Sequence, residues 1–400
     1  MGVSEDFITG KASHKEKFLA WAKTVPSTLR NPLYHWSHLE LKRYFDIDEL
    51  LNEGSAEKIY EEANRQLATD THNAVSLLSS MKVEVLCTTD DPLDELEDHR
   101  RIQEDVSIPF KVLPTWRPDR LLAIQHPRHF SDTKERLEAL TQESITDISS
   151  YLSAIKKRHD FFHEMGCSLS DHGLNQMNAN TYEVAQVEAS FKRLLNGGVL
   201  LDQDVADLQS HLLHEMAKMD YERSWVQQFH LGALRDANAG GLEKLGKDTG
   251  FDSIGDFSQA EGLARFLSVL EHENCLAKTI IYNVNPTQNA VFATMAGTFN
   301  DGSMMGKVQW GAAWWFLDQK TGIEKQLMDL SVFGLLRHFV GMVADSRSFL
   351  SFPRHEYFRR IACDFIGKQV EMGLIPNEKQ IIKPLIEGIS YNNAKNYLNL

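Results

Sequence analysis

An acid and a guanidinium, Asp345 and Arg347, stand two residues apart at the end of the apolar run 341–344. Alternate residues of a strand share a face, so a strand here would present both charged groups together at the mouth of a core. A carboxylate in that place suits a divalent metal or a general base; an ion pair between the two residues is the alternative. Arg117 closes another apolar run, and the planar fork of arginine suits a carboxylate. Two arginines at strand ends point to an anionic substrate, held by a local positive field in a chain of formal net charge −14. His230 shares strand parity with Gln228 and reads as a metal ligand or as a hydrogen-bonded core residue. Asp171, with His172 and Gly173 behind it, reads equally as a helix cap and turn or as a substrate contact. Trp314 and Trp315 are candidates to line a pocket. Pro353 suits the first turn of a helix, which sets Arg354 and His355 beside the strand end. Arg354 reads as surface charge, and His355 as either surface or substrate contact.

These residues need elements to carry them. Seven β-rich runs, 82–92, 109–119, 166–174, 225–235, 278–286, 307–316 and 339–349, alternate with helix-like segments. That alternation indicates a parallel sheet in an α/β protein. Each run ends in polar or aromatic residues, and functional groups at the carboxyl ends of successive parallel strands are the mark of a (β/α)8 TIM barrel. Seven strands are predicted, and the first strand of a closed barrel would fall before Met1. Ahead of them, "HKEKFLAWAKTV", "NPLYHWSHLELKRYF" and "AEKIYEEANRQL" carry apolar residues at helical spacing. The expected organisation is a helical subdomain at 1–80 and the barrel at 81–400. His35 and His38 are expected to be packing partners. The chain has neither GxGxxG nor a P-loop, which weakens a nucleotide-binding sheet.

The negative balance and the lack of a basic block argue against nucleic acid. No stretch approaches the roughly 18 uninterrupted apolar residues of a membrane span. The start, "MGVSEDFITG", lacks an export signal, so a cytoplasmic location is expected. Cys87, Cys167, Cys275 and Cys363 lie far apart without a CxxC pair, and are expected to be buried free thiols.

The residues resemble those of the uronate (glucuronate) isomerases, an outlying branch of the amidohydrolase superfamily. The resemblance runs over essentially the whole chain. It rests on "FITGKASHKEKFLAWAKTVPSTLRNPLYHWSHLELKRYF", "VEVLCTTDDPLDELEDH", "LSDHGL", "HLGALRD", "KVQWGAAWWFLDQK" and "GMVADSRSFLSFPRHEYFRR". It implies a barrel of the metal-dependent hydrolase type and an aldose–ketose isomerisation in hexuronate catabolism, of D-glucuronate to D-fructuronate and D-galacturonate to D-tagaturonate. Asp345 matches the family's metal-binding aspartate, Arg347 the substrate arginine beside it, and Arg117 a second substrate arginine. Trp314, Asp171 and His355 complete the expected substrate-binding set. His230 joins Asp345 as an expected ligand of a divalent metal, zinc by this resemblance. The partner is a hexuronate sugar, and a homo-oligomer is compatible.

The family pattern also carries a His-x-His on its first strand and a His-Tyr pair after it. Neither occurs here, and "HWSH" at 35–38 has other spacing and lies in a helical region. The expectation is a chain that starts inside the family's N-terminal region, with an incomplete metal site and weakened activity. A non-catalytic, N-terminally truncated fragment of the family, or a related metal hydrolase, are the competing readings.

Overall fold

The computed structural model describes residues 1–343 and 345–400. The chain opens with four α-helices, α1 (His14–Thr24), α2 (Pro32–Phe45), α3 (Ala56–Leu67) and α4 (Ala74–Ser80). Local chemistry sets their starts. The Ser13 hydroxyl accepts from the Glu16 N–H while the Glu16 carboxylate accepts from the Ser13 N–H, a reciprocal cap. Asn31 caps α2, and Pro32 takes the first turn, where a missing N–H costs nothing. Ala22, Val25, Leu41, Phe45, Ile59 and Leu77 then form a core cluster of their own, with Leu350 packed against it.

Among the described residues eight strands follow: β1 (Val85–Cys87), β2 (Lys111–Leu113), β3 (Leu169–Leu174), β4 (Val226–Leu231), β5 (Ala233–Leu234), β6 (Ser253–Ile254), β7 (Lys278–Asn283) and β8 (Val308–Trp310). β1 pairs with β2 in parallel, and β3-β4-β7-β8 form a parallel sheet in that order. Trp116 ties the two together, bridging in parallel to Asp90 on one side and Ser170 on the other. The architecture is α/β with parallel sheets. β4 and β7 are buried along nearly their whole length, as strands covered on both faces must be. Phe162, Leu212, Met216, Leu267 and Phe292 on the intervening helices belong to the same core as Val226, Phe229, Ile280 and Ile281.

Six of the seven predicted runs contain a parallel strand. The seventh, 339–349, forms none among its described residues. Phe339 and Val340 are buried, which explains the apolar signal, but no ladder takes their main-chain groups: the Phe339 N–H turns back to the Leu336 carbonyl at 3.1 Å, and side chains hold the groups that follow. Gln309 Oε1 on β8 accepts from the Val340 N–H at 2.8 Å, and Asn393 Nδ2 donates to the Phe339 carbonyl at 2.8 Å. Gly341 then turns with φ +83°, against the Ile389 carbonyl, where a Cβ would sit 2.0 Å from the oxygen. Only glycine fits there. Sequence periodicity also missed the short antiparallel pair β5–β6.

The cysteines are unpaired, but not uniformly buried: Cys167 and Cys275 are, Cys87 is half-buried and Cys363 is exposed. No helix among the described residues is long and apolar enough to cross a membrane.

Candidate active site

The carboxyl ends of the central strands bring Arg117, Asp171 and His230 into one chain of contacts. β3 and β4 pair so that Asp171 lies opposite Gln228 and Gly173 opposite His230. Asp171 therefore projects toward the strand end where His230 stands. His230 Nδ1 lies 2.6 Å from Asp171 Oδ1, and Arg117 Nη1 donates to Asp171 Oδ2 at 2.7 Å. Arg117 Nε donates to Asp119 Oδ2 at 2.9 Å, and the other Asp119 oxygen accepts from the Gly173 N–H at 3.3 Å. The glycine is a steric requirement. A Cβ at 173 would lie 2.3 Å from Arg117 Nη2, so any side chain there expels the guanidinium.

Burial alone would raise the Asp171 carboxyl. Its partners His230 and Arg117 outweigh burial and hold it well below the usual carboxylate range. Burial likewise opposes the charge of Arg117, and Asp171, Asp119 and Asp345 together overcome it. An ionised Asp171 accepts from both neighbours, so the His230 Nδ1 edge is turned to the carboxylate and Nε2 is the ring nitrogen left facing away from it. The imidazole is sandwiched by aromatic rings. Tyr282 stacks on it at 4.3 Å between centroids, and Trp314 leans on it at 4.7 Å. Tyr282 is itself fixed by a hydrogen bond to Gln228 Oε1 at 2.8 Å.

Of the residues singled out from the sequence, the structure thus brings together Arg117, Asp171, His230 and Trp314. Asp345 and Arg347 are exposed. They form no ion pair with each other, and the shared strand face expected of them does not exist because the run is not a strand. The Asp345 charge nonetheless reaches both Arg117 and Asp318. His355 stacks on Phe352 at 6.5 Å, and burial, with Arg359 and Arg354 nearby, lowers its pKa to about 4. His172 points the other way from Asp171, buried and stacked on Phe229 at 4.7 Å. His38 is a packing residue, with Nδ1 2.7 Å from the Tyr34 carbonyl and Nε2 accepting from the Leu51 N–H.

Other contacts were not anticipated. Asp119 and Tyr282 had a signal available, the first two residues past Arg117 and the second at the end of an apolar run. Arg354 had none. Instead of surface charge it is a nearly buried partner of Asp318, more than thirty residues away in the chain.

The donor set does not complete a metal site. His230 Nε2 and the Asp345 carboxylate are available, but a catalytic zinc ordinarily has three protein ligands. Among the described residues no group of three His, Cys, Asp or Glu is arranged for a metal ion.

The profile of the UxaC glucuronate isomerase family matches residues 1–398. The chain belongs to the glucuronate isomerase family. It is 49% identical to the uronate isomerase of Bacteroides thetaiotaomicron over 398 residues, 99% of this chain and 85% of that one. It is 48% identical to the uronate isomerase of Bacteroides fragilis over 400 residues, with 100% and 85% covered. Two solved members of the family share the fold. The uronate isomerase of Thermotoga maritima superposes with a TM-score of 0.92 at 37% identity, covering 99% of this chain and 85% of that one. The glucuronate isomerase of Caulobacter crescentus gives 0.89 at 25% identity, covering 100% and 82%. The Arg117–Asp171–His230 contacts are the candidate active site in this chain.

Proposed function

We propose that this chain is a cytoplasmic uronate isomerase that converts D-glucuronate to D-fructuronate and D-galacturonate to D-tagaturonate. The observation that carries the reading is Asp171 bridging Arg117 and His230 at the strand ends, in a chain of this family. The reaction moves a proton from C2 of the aldose to C1, through an enediol, while the C2 hydroxyl becomes the ketone and the aldehyde becomes an alcohol.

Each residue has a part in this reading. Arg117, locked by Asp171 and Asp119 through Nη1 and Nε, keeps Nη2 for the substrate carboxylate. Arg347, exposed in the segment that also carries Asp345, is in this reading its second clamp. Holding the sugar by its carboxylate fixes C1 and C2 relative to the protein, which is where positioning lowers the barrier. His230 Nε2 and Asp345 are the groups able to take and return the proton. Trp314 covers the imidazole and offers the sugar an apolar wall, and His355 is in this reading a further substrate contact.

A divalent metal, zinc by family resemblance, would find His230 and Asp345 as its donors and would polarise the oxygens of the enediol. Two donors fall short of the usual three, so no proton transfer here is routed through a metal. The finer architecture is part of the same proposal: the parallel strands in chain order form the wall of a (β/α)8 barrel within 81–400, with 1–80 as a helical subdomain beside it.

The test is ketose formation by the purified 400-residue protein from each uronate, with Asp345→Asn and His230→Asn as controls. Turnover that either control abolishes supports the reading. Absence of turnover from the unaltered chain, with or without added Zn²⁺, overturns it.

A further inference from the structure

Among its described residues, the 339–350 segment, which carries Asp345 and Arg347, has no ladder to hold it. Side chains from elsewhere do so instead. Gln309 accepts from the Val340 N–H, and the Tyr44 hydroxyl donates to the Phe349 carbonyl at 2.9 Å. Between these two anchors Arg354 Nη1 donates to the Asp345 carbonyl at 3.1 Å.

Arg354 joins three distant parts of the chain. It is the first residue of the helix Arg354–Glu371, and its side chain is only 14% exposed. Nη2 donates to Asp318, whose side chain is 3% exposed and which lies just past β8, behind the turn Trp315–Leu317. The guanidinium plane lies over Trp36 of α2, with Cζ 4.6 Å from the ring centroid. Glu40, one helical turn beyond Trp36, also feels it. Burial raises the Glu40 carboxyl to about 7, with Arg354 opposing. A lysine carries its donors on one nitrogen, without the spread of the arginine fork or its flat face, and so cannot satisfy Asp318, the Asp345 carbonyl and Trp36 together.

We propose that Arg354 is a positioning residue that pins the main chain at Asp345 to the end of β8 and to α2, so that Asp345 and Arg347 are presented to Arg117, Asp171 and His230. The catalytic consequence rests on the isomerase reading above; the clamp itself does not. Arg354 touches none of the reacting atoms. It acts through the carbonyl of Asp345, and misplacing a reacting group by about 1 Å is enough to cost on the order of 100-fold in rate.

Two measurements on Arg354→Met and Arg354→Lys test it. In Arg354→Met, amide exchange of the 341–350 peptide should rise on the order of 10-fold, while β3 and β4 keep their protection. With uronate as substrate, kcat should fall roughly 10- to 100-fold, and Arg354→Lys should recover only part of the loss. Unchanged exchange in 341–350 in folded Arg354→Met overturns the proposal, as does full activity of that variant. Removing one partner of a buried pair destabilises strongly, so the same exchange is read on Asp318→Asn/Arg354→Met, which removes both charges. If the unaltered chain turns over no uronate yet exchange rises in the variant, the clamp stands and the isomerase reading fails. If the chain is active and Arg354→Met matches it in both measurements, the clamp alone fails.

Discussion

His230 and Tyr282 lie directly opposite each other on β4 and β7, and their rings stack with centroids 4.3 Å apart and planes within 7°. The strand register thus sets the plane of the imidazole, and Asp171 then sets which nitrogen is free. Tyr282→Phe should keep the stack but leave the buried Gln228 Oε1 without its donor, at about 1–3 kcal/mol of stability. Tyr282→Leu removes the ring pair as well, worth about 0.5–1.5 kcal/mol more, and frees the imidazole to tilt. Urea unfolding should rank the two variants in that order, and kcat should drop much further in the leucine variant. Equal kcat in both would mean that the stack does not orient His230.

Gly173→Ala tests the clearance over Arg117. Its added methyl would lie 2.3 Å from Nη2, and the guanidinium is the part able to move. The backbone at this position is not in the left-handed region, so the fold should survive. Thermal unfolding should change little while kcat/KM for the uronate falls roughly 10- to 100-fold. A wild-type kcat/KM would show that Arg117 has room to spare.

Glu40 gives a pH signature of stability. Burial raises its folded pKa from 4.5 to about 7, so the fold favours the neutral carboxyl. Below about pH 4.5 the group is protonated in both states and its contribution is fully present. As pH rises toward 7 unfolding releases a proton, and that contribution is lost. Denaturant titrations from pH 5 to 8 should therefore show a decline in the natural chain that Glu40→Gln lacks, the difference reaching about 1–3 kcal/mol. Parallel curves for the two proteins would remove Glu40 as the source. His355, with its pKa lowered to about 4 by burial, acts in the opposite sense, since the fold favours its neutral ring and loses stability as pH falls from 6.5 toward 4.

Gln309→Leu tests how the apolar run after residue 338 is held. The substitution keeps the bulk but leaves the buried Val340 N–H without an acceptor, which should cost about 1–3 kcal/mol. Loss of protection at the Val340 amide in hydrogen exchange would locate the cost. Retained protection would mean that another acceptor takes over.

Much of the site was legible residue by residue. Apolar runs marked β3, β4, β7 and β8, because a strand covered on both faces must be apolar wherever it lies in the fold, and shorter β-branched runs marked the half-buried β1 and β2. The polar residues just beyond those runs had to fall at strand ends, and Arg117, Asp171, His230 and Trp314 do meet there. Caps such as Ser13 with Glu16 are local by nature, so α1, α2 and α3 could be read from spacing alone, whereas α4, seven residues long, is too short to show a period. The run 339–349 looked like a strand for the same reason as the others, since burial and not pairing is what an apolar sequence reports. Whether its main chain found a ladder depended on Gln309 and Asn393, which lie outside the run. Asp171 offered no sign that it would be shared by Arg117 and His230, 54 and 59 residues away, nor Arg354 that it would be buried against Asp318 and Trp36. Hydrophobic period is a property of neighbours along the chain. The partner of a buried charge or of a main-chain amide is set by whichever distant segment packs against it, and that only the tertiary structure decides.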